Sequence, residues 1–138
     1  MKKLLIDTNI IIDLLAKREP FYNEAALLFT LADKNKIQLS VSSLTFANTN
    51  YILLQTKKPD EAKLILRKLK LIVQILSLDE KVVGLSLNDN DFKDFEDALQ
   101  YFSAIENEVD IIITRNLKDF QKAKLPVMTA AQFLKTMK

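Results

Sequence analysis

The sequence predicts one α/β domain built on a mainly parallel central sheet, with helices packed on both sides of it. Three observations carry this reading. Short apolar runs recur, as in Leu4-Leu5-Ile6 and Ile111-Ile112-Ile113, and strands buried on both faces of a parallel sheet read as continuous apolar runs. Segments with helical spacing of apolar residues separate those runs, the alternation expected of β-α-β units. The chain of 138 residues is long enough for a substantial core and short enough for one domain. Residues 1–138 are therefore read as a single unit.

The first strand is expected at Lys3–Ile6. Asp7-Thr8-Asn9 follows, and an aspartate there suits the start of a helix carrying Ile10, Ile11, Leu14 and Leu15. Phe21–Lys34 places Ala25, Leu28, Phe29 and Ala32 on one helical face. A second strand is expected at Ile37–Ser42, followed by helices at Leu44–Gln55 and Pro59–Leu69. The latter opens with Pro59, Asp60 and Glu61, all favoured in a first turn. A third strand at Val73–Leu78 leads to a short helix at Glu80–Leu87. In Asp91–Asn107 a helical wheel of about 100° per residue gathers Phe95, Ala98, Leu99, Phe102 and Ile105 into one apolar stripe. Asp94 and Asp97 lie on its flank beside Tyr101. A fourth strand at Val109–Thr114, a short fifth near Val127 and a helix at Ala130–Thr136 complete the chain.

Composition narrows the chemistry. The content of 49% hydrophobic and 28% charged residues fits a globular protein. No apolar stretch reaches the length of a membrane span, and Asp7 and Asp13 interrupt the only segment resembling a leader. The expected location is the cytoplasm, with no membrane partner. Cysteine and histidine are both absent. Thiol nucleophiles, zinc–thiolate sites, imidazole bases and Ser-His-Asp triads are thereby excluded. The single glycine, Gly84, excludes glycine-rich phosphate loops. An enzyme with this composition works through carboxylates, hydroxyls, amides, Lys, Arg and a bound ion. A net charge of +2 does not by itself predict nucleic-acid binding. Lys57, Lys58, Lys63, Arg67, Lys68 and Lys70 crowd one region, where a solvated helix face explains them equally well.

Three acidic positions stand out. Asp7 ends an apolar strand, and ligands of open α/β sheets gather at the carboxyl ends of strands. Asp97 lies well inside its helix, where a first-turn dipole role does not account for it. Asp119 follows the strand end Thr114-Arg115-Asn116, close enough to turn back into the same cleft. Carboxylates gathered in one cleft repel, and a hard divalent cation lets them coexist.

Asp-Thr-Asn-Ile at 7–10, Asp97 with Ala104 seven residues on, and Thr-Arg-Asn-x-x-Asp-Phe at 114–120 resemble PIN-domain ribonucleases. The resemblance spans essentially the whole chain, and Asp-Phe-Glu-Asp-Ala-Leu-Gln is similar to a bacterial subgroup. It implies a three-layer α-β-α fold and RNA cleavage with Mg²⁺ or Mn²⁺. It also implies a catalytic and metal-binding role for Asp7, Asp97 and Asp119. Thr8 and Asn9 would support Asp7, Thr114 and Asn116 would shape the neighbouring strand end, and Arg115 would contact RNA phosphates. Many such proteins are toxins of toxin–antitoxin pairs, which implies a cognate antitoxin and self-association as a dimer.

One departure from the family pattern bears on activity. After Ser42-Ser43-Leu44-Thr45, where the family usually places a glutamate, this chain has Asn48. Asparagine offers a carbonyl oxygen and no charge, with Asp94 or Glu96 as candidates to compensate. The alternative reading is an attenuated PIN-like module that binds RNA or protein. Phosphoryl transfer through Asp7 fits less well, because haloacid-dehalogenase-like enzymes need a second aspartate where Asn9 stands.

Overall fold

A computed structural model describes residues 1–137. Five parallel strands form one sheet: β1 (Lys2–Ile6), β2 (Ile37–Ser42), β3 (Gln74–Leu76), β4 (Ile111–Ile113) and β5 (Val127–Met128). Their order across the sheet is β3-β2-β1-β4-β5. The helices are α1 (Thr8–Leu15), α2 (Tyr22–Asp33), α3 (Ser43–Leu53), α4 (Pro59–Lys70), α5 (Glu80–Leu87), α6 (Phe95–Glu106) and α7 (Ala130–Thr136). A 3₁₀ turn spans Leu117–Phe120. No described helix is long and apolar enough to cross a membrane.

Alternation along the central strands produces the layers. Successive strand side chains point to opposite faces, so Leu4, Ile6, Ile111 and Ile113 enter one core, with Leu28 and Phe29 of α2 and Phe133 of α7. Leu5 and Ile112 enter the other, with Ala98, Tyr101 and Ala104 of α6 and Phe120. Burying each such aliphatic side chain contributes roughly 1.5–3 kcal/mol. β1 is hydrogen-bonded to neighbours on both sides, with Leu4 opposite Leu39 of β2 and Ile111 of β4. Chain direction across the sheet reverses between β1 and β4. Asp7 and Thr114 emerge at that switch point.

The expected element sequence stands, with three local corrections. β3 and β4 are shorter than expected, at three residues each. The helix expected from Asp91 starts at Phe95, which puts Asp97 in its first turn and not well inside the helix. Asp89 and Asp94 instead accept hydrogen bonds from nearby backbone amides (Asp91 N 3.0 Å, Phe92 N 2.8 Å, Glu96 N 2.8 Å), and side-chain acceptors of this kind compete with helical pairing. The buried face of α6 is also rotated from the expected stripe. Phe95 and Ile105 are exposed, whereas Ala98, Leu99, Gln100, Tyr101, Ser103 and Ala104 are buried. The small residues Ala98, Ser103 and Ala104 let α6 lie close between the sheet and α5. The Tyr101 hydroxyl meets its polar requirement by accepting from Lys124 N at 3.2 Å.

A buried ion pair ties α1 to the segment after β4. Asp13 of α1 has no exposed surface, and its Oδ1 accepts from Arg115 Nη2 at 3.1 Å. Arg115 Nε lies 3.0 Å from Oδ2, and the guanidinium stacks 4.0 Å above the Phe21 ring. Burial raises the Asp13 pKa, opposed by the charges of Arg115 and Arg18. Arg115→Ala should cost about 3 kcal/mol in denaturant unfolding, because it strands a buried carboxyl. Asp13→Leu combined with Arg115→Leu should recover most of that loss. Equal stability of Arg115→Ala and the natural protein would show that the pair is not a structural tie.

Candidate active site

Asp7 is placed by β1 and the first turn of α1. Its backbone N–H donates to Ile113 O at 3.0 Å, and its own carbonyl accepts from Ile10 N at 3.0 Å. The residue stands at the helix-cap position, but its carboxylate makes no cap hydrogen bond. The side chain instead points across the switch point. Thr114 Oγ1 donates to Asp7 Oδ2 at 2.8 Å, and Gln100 Nε2 donates to Oδ1 at 3.2 Å. Thr114 Oγ1 in turn accepts from Asn116 N at 3.0 Å. Three separate elements therefore fix the orientation of one nearly buried carboxylate.

A cleft of about 400 Å³ opens over it. Asp7, Thr8 and Asn9 line one wall, and Asn48, Tyr51 and Ile52 of α3 line another. Asp94, Glu96, Asp97 and Gln100 come from α6 and its cap, with Asn116 and Asp119 from the segment after β4. The 3₁₀ turn aims Asp119 back toward the strand ends, held by its N–H donating to Asn116 O at 3.0 Å. Asp7, Asp97 and Asp119 thus share one cavity although they lie far apart in the chain.

The electrostatics follow from that crowding. Asp97 is pushed up from 3.8 to about 7, first by burial and then by the negative charges of Asp94, Asp119, Asp7 and Glu96. Each neighbour makes ionisation of Asp97 costlier, because like charges in a partly dry cleft are poorly screened.

The donor set suits a hard cation. Every polar side chain on the cleft wall offers oxygen, and no sulfur or imidazole is present. Gln100 is buried, and its Oε1 has no hydrogen-bond partner. An orphaned buried carbonyl beside repelling carboxylates is what a cation or its water would satisfy. Among the described residues no three acidic side chains close tightly around a single point. The fit is to an ion such as Mg²⁺ that keeps several of its waters.

The other expected residues fall in different places. Thr8 Oγ1 pairs with Thr45 Oγ1 at 3.0 Å, so it joins α1 to α3 rather than bracing Asp7. Thr114 is fully buried behind the cleft, reaching it through Asp7 and the Asn116 N–H. Asn48 lies on the cleft wall, where it presents an amide. Arg115 is corrected: Asp13 and Phe21 engage its guanidinium, so it does not serve as a free phosphate contact. A neighbouring cavity of about 390 Å³ includes Ile10, Phe21, Arg115 and Ala130 in its lining. Its one buried carboxylate, Asp13, is already matched by Arg115.

Gln100 and Tyr51 were not among the residues expected at the site. Both carried a readable signal, since each lies three positions after a site residue on its helix, Gln100 after Asp97 and Tyr51 after Asn48. Residues at that spacing share a helical face.

The raised Asp97 pKa has a consequence for stability. The folded state holds this proton more tightly than the unfolded chain, so stability falls as pH rises from 3.8 to about 7. Without divalent cations, Asp97→Asn should raise Tm relative to the natural protein. The gain should be absent near the lower pH limit, grow across the window and level off above it. A pH-independent Tm difference would contradict the charge-crowding account.

Comparison with known proteins places this geometry in a family. The PIN domain profile matches residues 3–118. Ribonuclease VapC1 of Aquifex aeolicus (strain VF5) is 29% identical over 139 aligned positions, covering 96% of this chain and 93% of the relative. A toxin–antitoxin complex from Klebsiella pneumoniae contains a similar fold, with a TM-score of 0.71 at 23% identity over 92% of this chain and 97% of that one. The Mycobacterium tuberculosis toxin VapC20, described as cleaving the sarcin-ricin loop, gives 0.66 at 13% identity over 88% and 95%. The matched profile covers most of the strands and helices that build the cleft, and the chain belongs to the PIN domain family.

Proposed function

We propose that this protein is a metal-dependent endoribonuclease that hydrolyses RNA phosphodiester bonds, acting as the toxin of a toxin–antitoxin pair. The observation that carries the reading is the meeting of Asp7, Asp97 and Asp119 in one cleft at the β1/β4 switch point. The similarity to a ribonuclease, and to chains solved within toxin–antitoxin complexes, supports it.

Asp7, Asp97 and Asp119 would hold Mg²⁺ or Mn²⁺, with Gln100 Oε1 and Asn48 offering neutral oxygens. When bound, the ion supplies Lewis acidity toward the phosphate and eases deprotonation of an attacking water. Asp7 acts as a fixed acceptor, because Thr114 and Gln100 allow it one orientation. Asp97, pushed up to about 7 by burial and its acidic neighbours in the metal-free cleft, would return to its ionised form beside a bound cation and serve as a ligand.

Asn48 removes one negative charge from the wall, but Asp94 and Glu96 remain beside Asp97. The reading therefore favours an active enzyme over an attenuated binding module. An antitoxin that occupies the cleft, and a dimer of this chain, complete the proposal.

Incubating a mixed panel of single-stranded and structured RNAs with Mg²⁺ or Mn²⁺ should give cleavage that chelator abolishes. Asp7→Asn should lower the rate by at least about 100-fold, within the range of lost charge stabilisation, while the protein still unfolds in one cooperative transition. Undiminished cutting by Asp7→Asn would refute the assignment. Asn48→Glu should tighten Mn²⁺ binding in a calorimetric titration; weaker binding would show that a carboxylate at this position is not accommodated.

A further inference from the structure

The carboxylate cluster divides two grooves rather than closing one. On one side lies the cleft with Asn48, Tyr51 and Ile52. On the other is a groove of about 380 Å³ lined by Asp91, Lys93, Lys118, Gln121 and Lys122. Asp94, Asp97 and Asp119 line both. A linear molecule crossing the carboxylates would therefore meet chemically different surfaces before and after them.

The lysine side carries cationic groups without ion-pair partners. Among the described residues the ion pairs are Lys81–Glu106 and Arg115–Asp13, so Lys93, Lys118 and Lys122 are uncommitted despite the acids beside them. All three are exposed. The other side carries an aromatic face. Tyr51 is 71% exposed at the cleft rim, next to an amide that can hydrogen-bond a base edge. A ring so placed can stack on a base only where that base has left a duplex. An acidic cluster repels a phosphate backbone, so a nucleic acid crossing it needs cations close by to offset the repulsion.

We propose that a single strand of RNA crosses the carboxylate cluster with a base stacked on Tyr51 and, on the far side, its phosphates held by Lys93, Lys118 and Lys122. This rests on the ribonuclease reading and extends it to substrate form and subsites. Tyr51 supplies sequence-tolerant stacking, and the lysines supply affinity without sequence choice. Duplex RNA, with its bases already stacked, is disfavoured.

The test is binding of a short single-stranded RNA carrying 2-aminopurine, read by fluorescence with full-length Asp97→Asn protein so that the RNA stays intact. Replacing Lys93, Lys118 and Lys122 together by Gln should flatten the dependence of log affinity on log salt by about 2, since each phosphate contact on a single strand contributes roughly 0.7. Tyr51→Leu should weaken binding by about 5- to 150-fold and lose the stacking signal, with the salt slope unchanged. Tyr51→Phe should retain both affinity and signal. A salt slope unaltered by the lysine replacements would overturn the proposal. So would Tyr51→Phe binding as weakly as Tyr51→Leu, or duplex binding as tightly as single strand. The same substitutions in the otherwise natural protein separate the two readings. Metal-dependent cutting undiminished by Tyr51→Leu and by the lysine replacements overturns the subsites and leaves the ribonuclease. A natural protein that neither binds nor cuts RNA overturns both.

Discussion

Asp97 sits partly buried among Asp7, Asp94, Glu96 and Asp119, and this crowding of like charge sets the terms for the rest of the site. A fold selected for stability alone would disperse these charges, because each raises the cost of ionising its neighbour. Here the sheet concentrates them. β1 ends at Asp7, β4 leads into the turn carrying Asp119, and α6 packs across both with Asp97 toward the strand ends. The strain is electrostatic and local, so a divalent cation would relieve it at its source. A carboxyl perturbed by burial and by named charged neighbours in a cleft is a candidate functional group.

Holding the charges in place falls to neutral partners. Thr114 and Gln100 donate to Asp7 without adding charge, and Asn116 N–H donates to the Thr114 hydroxyl. These bonds cross between β1, α6 and the end of β4, so loss of any one partner would loosen the whole corner. Behind it, the Asp13–Arg115 pair with Phe21 locks α1 to the same segment. The guanidinium that looked available to substrate is thereby used as scaffold. Free cationic charge lies farther out, on the lysines of the second groove.

Much of this was legible in the sequence because the signals are local. Apolar runs marked β1, β2 and β4, and helical spacing marked α2, α5 and α7 within a residue or so. Asp7 and Asp119 are readable as strand-end residues, whereas α6 begins at Phe95 and puts Asp97 in its first turn, so the family pattern marks Asp97 and its depth in the helix does not. What escaped depended on packing. The rotation of α6 is not readable from a wheel weighted by hydrophobicity, because it buries the small residues Ala98, Ser103 and Ala104. Gln100 gives only a weak signal because an amide carries no charge, although its spacing from Asp97 places it on the same face. The fate of Arg115 was invisible without Asp13, since the two lie 102 positions apart.

The role proposed for Asp7, Asp97 and Asp119 is to hold a hard divalent cation in their cleft. Crystals of the protein grown with Mn²⁺ and measured for anomalous scattering test it most directly. A strong anomalous peak bounded by those three carboxylates is expected, with the Gln100 carbonyl turned toward the ion or a water of its shell. An empty cleft at saturating Mn²⁺, with the three carboxylates splayed into solvent, would contradict it.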